Sequence, residues 1–145
     1  DRIGTRPLVL AGLALMAAGT LYLSTAAGGT SVVPAGFGVL GLSVGFILVL
    51  TPIISAAAGA LPPDQVGVGL GILQGAQFLG AGAGPALFGA LVTARAQSGS
   101  TALNPLHAAP DGAAFSDAFL AMATVAALTL VVAYRMRPAA RQARS

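Results

Sequence analysis

The stretch that decides the fold is residues 33–58, which reads VPAGFGVLGLSVGFILVLTPIISAAA and contains no charged side chain. A helix of about 20 apolar residues spans the ~30 Å hydrocarbon core of a bilayer, so this stretch is long enough to cross a membrane. Three further runs, at about residues 7–27, 67–93 and 115–134, are also apolar and almost free of charge. The sequence therefore predicts an all-α membrane protein with four transmembrane helices.

The composition of the whole chain agrees with lipid as its solvent. Of its 145 residues, 56% are hydrophobic and only 8% are charged, whereas ordinary soluble domains carry about 25% charged residues. The four runs are apolar on nearly all sides and lack the polar stripe of a surface helix in a soluble protein. This composition argues against a water-soluble globule.

The positions of the charges predict how the chain crosses the membrane. Arg2 and Arg6 precede the first run, and a basic tail at residues 137–145 follows the last one. Because positive residues stay on the cytoplasmic side, we expect a membrane segment at residues 1–136, in the plasma or inner membrane, with both of its ends cytoplasmic. The same rule explains the basic tail without a nucleic-acid partner.

Side chains that carry covalent or metal chemistry are scarce. The chain has no cysteine, and its single histidine, His107, has no partner at a ligand spacing. No nucleophile with an accompanying base lies within the four runs. We therefore expect no enzymatic activity, no cofactor and no metal site.

The second run contains a proline at position 52. Proline removes one backbone hydrogen bond inside a helix and clashes with the preceding turn, so we expect a kink there. Two interpretations are open: Pro52 only bends a packed helix, or the kink opens a polar cavity. In the second case Ser43 and Thr51 are candidates for lining that cavity.

The third run is dense in glycine. At about 100° per residue, its glycines form two small faces on opposite sides of a helix. Small residues let membrane helices approach closely, so we expect this helix to be clamped between two neighbours. Gln74 and Gln77 lie in the same run, and we expect them to face a partner helix or a water-filled path. The glycines are Gly67, Gly69, Gly71, Gly75, Gly80, Gly82, Gly84 and Gly89.

Two motifs in these regions resemble signatures of the major facilitator superfamily. The first six residues, DRIGTR, resemble the D-R-x-G-x-R/K core of its cytoplasmic loop signature, with matches at Asp1, Arg2, Gly4 and Arg6. A second match resembles the antiporter signature G-x8-G-x3-G-P-x2-G-G, with Phe88 in place of one glycine. Its matching positions are Gly71, Gly80, Gly84, Pro85 and Gly89.

The chain is most similar in these features to the C-terminal part of 14-span drug:proton antiporters. This resemblance implies that the four helices belong to the C-terminal half of a major facilitator helical bundle and that the chain is a segment of a longer transporter. The first and last helices would be peripheral, the second would border the central cavity, and the third would pack near the contact between the halves.

The function that the resemblance implies is secondary active transport by alternating access, with proton-coupled efflux of drugs or other amphiphilic small molecules. Gly80, Gly84 and Pro85 would seal a helix contact. The expected partners are the lipid bilayer, the remaining helices of the transporter, a small-molecule substrate and protons. No ionisable residue lies deep in a run, so we expect the proton-coupling acids to lie elsewhere in the transporter.

Two alternatives are left open by the residues. One is a major facilitator uniporter or symporter for a metabolite, because a wall of serine, threonine, glutamine and apolar groups suits many substrates. The other is a four-span structural or assembly protein, in which the glycine faces only mediate helix association.

Overall fold

The computed structural model describes residues 5–29, 32–99, 101–107 and 112–135, and these residues form four long helices. All four helices are long and apolar enough to cross a membrane, which confirms the prediction of an all-helical chain with four such segments. Their bounds are α1 Thr5–Ala26, α2 Val32–Ala60, α3 Val66–Ser98 and α4 Ala113–Arg135.

The helices cover the apolar runs and extend beyond some of them. α2 is continuous through Pro52, which is buried, and α3 is continuous through Pro85. α3 also continues past residue 93 to Ser98, where Gly99 ends it in a left-handed conformation with φ 59°. A glycine at this position allows the chain to turn away without the steric penalty that a Cβ atom would add.

α1 is the central helix of the arrangement. It packs along α2 and along α4, while α3 packs against α4 and, less extensively, against α2. Within the described ranges, no Cα atom of α3 lies within 8 Å of a Cα atom of α1. α1, which the resemblance places at the periphery, therefore has the largest share of buried residues.

The contact between α1 and α2 is formed by glycines. A methyl group added to Gly12 would lie 2.7 Å from the carbonyl oxygen of Gly45, and one added to Gly45 would lie 2.7 Å from the carbonyl oxygen of Gly12. Two helical turns further along α1, a methyl group on Gly19 would lie 3.1 Å from the carbonyl oxygen of Gly38. The two backbones therefore approach so closely that only glycine fits between them.

α3 has the opposite character, although it contains more glycines. None of its residues is buried. Gly69 meets the side chain of Leu61, whereas the other α3 glycines have no atom of a neighbouring element within 4 Å of an added methyl group. The expected clamp between two neighbouring helices is therefore not formed within the described part of the chain.

The four helices run up and down, so the bundle has two distinct ends. We call the end with the α1–α2 and α3–α4 connections the two-loop end. The other end, with the start of α1, the end of α4 and the α2–α3 connection, is the terminal end. At the two-loop end Gly112, with φ 90°, packs against Gly28, so that the connection after α1 touches the start of α4.

Candidate functional site

An apolar cavity of about 900 Å³ lies between α1, α3 and α4. This space remains between the helices because α3 packs against α4 and does not pack against α1. α1 contributes Leu13, Met16 and Thr20 to its wall, and α2 reaches it through Leu42. Its volume falls within the range of small-molecule pockets, about 300–1,000 Å³.

The wall of this cavity offers no free hydroxyl proton. Thr20 and Thr129 are the polar side chains of the wall, and each is bonded to its own helix. The Thr20 hydroxyl donates to the carbonyl oxygen of Met16 at 2.8 Å, and the Thr129 hydroxyl donates to the carbonyl oxygen of Val125 at 2.8 Å. Because both protons are engaged, the cavity presents an apolar surface to an occupant.

Phe88 holds α3 against α4 at one side of the cavity. Its ring centroid lies 5.2 Å from that of Phe119 and 6.4 Å from that of Phe115, in tilted arrangements. Aromatic pairs at such distances contribute about 0.5–1.5 kcal/mol beyond their buried area. Phe88 is the residue that replaces a glycine of the antiporter-like motif, so this departure from the motif forms the aromatic contact between the two helices.

A buried polar cluster joins α1 to α4 at the two-loop end. The Ser24 hydroxyl lies 2.8 Å from the carbonyl oxygen of Ser116 and 3.1 Å from its hydroxyl. The Asn104 amide donates to the Ser24 hydroxyl oxygen at 2.8 Å. All three residues are buried, and because their side-chain hydrogen bonds are made, the cluster avoids the penalty of unpaired buried polar groups.

An ion pair joins α3 to α4 at the same end. Arg95, in the last turn of α3, donates from Nε to Oδ2 of Asp117 at 2.7 Å, and its Nη2 also contacts this oxygen. The other carboxylate oxygen of Asp117 accepts from the backbone N–H of Leu103 at 2.7 Å. Asp117 is 5% exposed, so its charge is compensated by Arg95 and by a backbone donor at the edge of the bundle.

At the terminal end, Arg6 bridges α1 and α4. Its Nη2 donates to the carbonyl oxygen of Tyr134 at 2.6 Å, and its guanidinium carbon lies 5.9 Å from the centroid of the Tyr134 ring. The carbonyl groups of the last helical turn carry partial negative charge, which a cation stabilises. Arg6 therefore ties the first turn of α1 to the last turn of α4.

The residues predicted from the sequence are distributed between these features and the surface. Gly80, Gly84 and Pro85 line the cavity. Ser43, Thr51, Gln74, Gly71 and Gly89 are exposed and Gln77 is half-buried, and none of these six belongs to the wall of this cavity. Of the loop motif, Arg6 is described, whereas Asp1, Arg2 and Gly4 lie outside the described residues, as does the tail at 137–145.

The polar contacts at the two-loop end were not predicted from the sequence. Asp117 and Arg95 lie at the edges of two apolar runs, and Ser24 and Ser116 belong to no motif. Their partners are far apart along the chain, so only the packing of the helices brings them together. In the same region, both ring nitrogens of His107 are buried without a hydrogen-bond partner among the described residues.

Comparison of the chain with family models, with curated proteins and with solved structures finds no match. The features that bear on its function are therefore the four apolar helices, the open glycine faces of α3 and the apolar cavity. The cavity offers room and apolar contacts for a ligand, while the charged groups at both ends hold helices together.

Proposed function

We propose that this chain is a four-helix segment of a secondary active transporter that works by alternating access and exports drugs or other amphiphilic small molecules in exchange for protons. The observation that carries this proposal is the open face of α3. Gly71, Gly75 and Gly82 share this face, and a methyl group added to any of them would meet no atom within 4 Å.

The open face supports the proposal because a glycine surface that faces lipid would gain no helix packing. Glycine lowers the stability of a helix by about 1 kcal/mol relative to alanine. In membranes small residues are instead favoured where another helix packs closely. In an alternating-access transporter, such surfaces lie where helical bundles rock against one another. The remaining helices of the transporter would cover this face of α3.

The distribution of charge is consistent with a segment that does not itself carry the coupled proton. The charged side chains of the described helices are Arg6, Arg95, Asp117 and Arg135, and all of them lie within five residues of a helix end. Ionisable groups that relay protons lie at membrane depth. The coupling acid would therefore belong to the other helices of the transporter.

The proposal is tested with the complete reading frame that encodes the chain, expressed in a bacterial strain without its own drug pumps. Cells are loaded with ethidium, and efflux is followed by fluorescence with and without a protonophore. We expect efflux that the protonophore abolishes. If the protein inserts into the membrane and no amphiphilic dye is exported, the drug-efflux proposal is wrong.

A matched pair of variants tests the role of the open face. Gly82→Leu places a large side chain on this face, and we expect it to lower the efflux rate about tenfold or more, because overpacking a close helix contact costs about 1–3 kcal/mol. Ala83→Leu, one residue further and rotated by about 100°, is the control and should retain efflux. Equal activity of the two variants would contradict the proposed helix contact.

The assembly-protein alternative predicts a different outcome for the same variants. In that case a second copy of the chain would cover the open face. The 145-residue chain, purified in detergent, would then form a defined dimer that Gly82→Leu disrupts and Ala83→Leu preserves, and no dye would be exported. Size-exclusion chromatography with light scattering measures this directly.

A further inference from the structure

We infer that residues 101–107 form a strap that closes the cavity between α1, α3 and α4 against water at the two-loop end, and that the side chain of Asn104 holds this strap on α1. The inference goes beyond the proposed function, because it concerns the route into the cavity and rests on hydrogen bonds at one end of the bundle. It would hold equally for a chain that transports nothing.

The apolar wall of the cavity ends at a layer of polar side chains. On each of its three helices, a polar residue lies within about one helical turn of the last wall residue, on the side of the two-loop end. These pairs of wall residue and polar residue are Thr20 and Ser24 on α1, Leu91 and Arg95 on α3, and Ala118 and Asp117 on α4.

The strap is hydrogen-bonded to all three of these polar residues. Its first residue, Thr101, accepts a hydrogen bond from the Arg95 side chain on α3 through its carbonyl oxygen, at 3.4 Å. Two residues further on, a backbone N–H of the strap donates to Asp117 on α4 at 2.7 Å. Asn104 then donates from its amide to the hydroxyl oxygen of Ser24 on α1 at 2.8 Å. The strap therefore passes from α3 over α4 to α1 at the two-loop end of the cavity.

This path crosses the gap that the helices themselves leave open. Within the described ranges, no Cα atom of α1 lies within 8 Å of a Cα atom of α3, so these two helices do not close the cavity by packing together. At the terminal end, the contact of Arg6 with Tyr134 joins α1 to α4 and leaves the gap between α1 and α3 unbridged. The strap therefore makes the two ends of the cavity different.

Asn104 is the residue of the strap that points into the protein. It is 4% exposed, whereas Leu103 and Leu106 on either side are 66% and 69% exposed. Its Oδ1 accepts from the backbone N–H of Leu106 at 3.0 Å, so both ends of the amide are bonded and the turn around it is fixed. The ring nitrogens of His107 are also shielded from water. Pulling Asn104 away from Ser24 would break a buried hydrogen bond, which resists opening of the strap.

The test uses the absence of cysteine from the chain. Ala121→Cys places a single thiol in the cavity wall. A thiol reacts as the thiolate, which an apolar site disfavours, so its rate with a membrane-impermeant methanethiosulfonate reports whether water reaches the wall. Leu106→Cys, on the exposed side of the strap, identifies the preparation in which the reagent meets the two-loop end, either intact cells or inverted vesicles. All rates are measured in that preparation.

With the strap intact, we expect Ala121→Cys to react at least about tenfold more slowly than Leu106→Cys. Adding Asn104→Ala to Ala121→Cys should raise its rate about tenfold, which corresponds to about 1.4 kcal/mol in the equilibrium between the closed and the open strap. Leu106→Ala, in the same strap but with an exposed side chain, is the matched control and should leave the rate within about twofold of the parent.

A second variant tests the bond from its other side. Ser24→Ala removes the acceptor of the Asn104 amide with little change in volume, and it should also raise the rate at Ala121→Cys. Combining Ser24→Ala with Asn104→Ala should give a rate within about twofold of the faster single variant, because both substitutions remove the same bond. Effects that multiply would show that the two residues act independently and would contradict the proposed contact.

Three further results would overturn the inference. Equal rates at Ala121→Cys and Leu106→Cys with the strap intact would show that the cavity is open to water at this end. An unchanged rate with Asn104→Ala, at native helix content in circular dichroism, would show that this bond does not hold the strap closed. An equal rise with Leu106→Ala, or at Ala127→Cys on the exposed surface of α4 outside the cavity wall, would indicate a general loosening of the bundle.

Discussion

The contact between α1 and α2 and the surface of α3 use the same residue type in opposite ways. At Gly12 and Gly45 an added methyl group would lie 2.7 Å from a backbone oxygen of the other helix. At Gly71 and Gly75 it would meet nothing within 4 Å. A glycine-rich pattern therefore indicates that a helix can be approached closely, but it does not say whether this chain supplies the helix that approaches.

The difference also separates two kinds of helix attachment. α1 is held along its length by backbone packing with α2 and by a polar cluster with α4. α3 is held to α4 by Phe88, which lies ten residues before the end of α3 and contacts rings near the start of α4, and by the Arg95–Asp117 pair at the two-loop end. We therefore expect the attachment of α3 to depend on a few side-chain contacts. The contact between α1 and α2 should instead depend on glycines, which have no side chain to separate the two backbones.

The largest expected effect tests the attachment of α3. Asp117→Ala removes the partner of Arg95 and the acceptor of the Leu103 N–H. Breaking a buried pair costs about 3–5 kcal/mol, and we expect about 3 kcal/mol because the Arg95 side chain is 24% exposed and can regain water. Unfolding by sodium dodecyl sulfate in mixed micelles, followed by circular dichroism, measures the change.

The control for this variant is Asp64→Ala, since Asp64 is an exposed aspartate in the connection between α2 and α3. It should unfold within about 0.5 kcal/mol of the parent chain. If the two alanine variants were equally stable, the pair would not hold α3 to α4.

The next largest effect tests the α1–α2 contact. Gly45→Ala pushes a methyl group against the Gly12 carbonyl oxygen and the backbone nitrogen of Met16, 2.7 and 2.9 Å away. Overpacking costs about 1–3 kcal/mol, and we expect about 2 kcal/mol because backbone atoms cannot move aside as a side chain can. Gly36→Ala, in the same helix but with nothing within 4 Å, is the control. A neutral Gly45→Ala would disprove the close approach.

The smallest effect has the opposite sign and is expected in α3. Gly75→Ala adds a methyl group where nothing lies within 4 Å, and alanine is favoured over glycine inside a helix by about 1 kcal/mol. The 145-residue chain should therefore become more stable by up to about 1 kcal/mol in the same unfolding assay. A loss of stability would show that a partner, such as a second copy, already covers this face.

The four helices could be predicted because length and charge determine them independently of packing. Every charged residue lies at the edge of a run or outside it, and a run of about 20 apolar residues has few alternatives to a long helix. Pro52 and Pro85 do not end the helices that contain them. The extension of α3 to Ser98 was missed because its last turns contain arginine, glutamine and serine, which also suit a connection.

The pairing of helices could not be predicted in the same way. Gly12 and Gly19 are seven residues apart in α1, as are Gly38 and Gly45 in α2, and this spacing offered a signal for their contact. The glycines of α3 are more numerous and form a stronger pattern. Ser24 and Ser116 lie 92 positions apart, and no local pattern links them. The cavity likewise results from the position of α3 relative to α1, which no single run encodes.

Among the residues that the structure describes, the glycines with a left-handed backbone are Gly28, Gly99 and Gly112, and all of them lie at the two-loop end. The described connection at the other end instead passes through Pro62, Pro63 and the exposed Asp64 with no positive φ angle. Because the chain has no native thiol, Asp64→Cys would give a unique site for a membrane-impermeant maleimide. Comparing the labelling of intact cells with that of permeabilised cells would then show on which side of the membrane this connection lies. The substitution would not alter the glycine turns at the two-loop end.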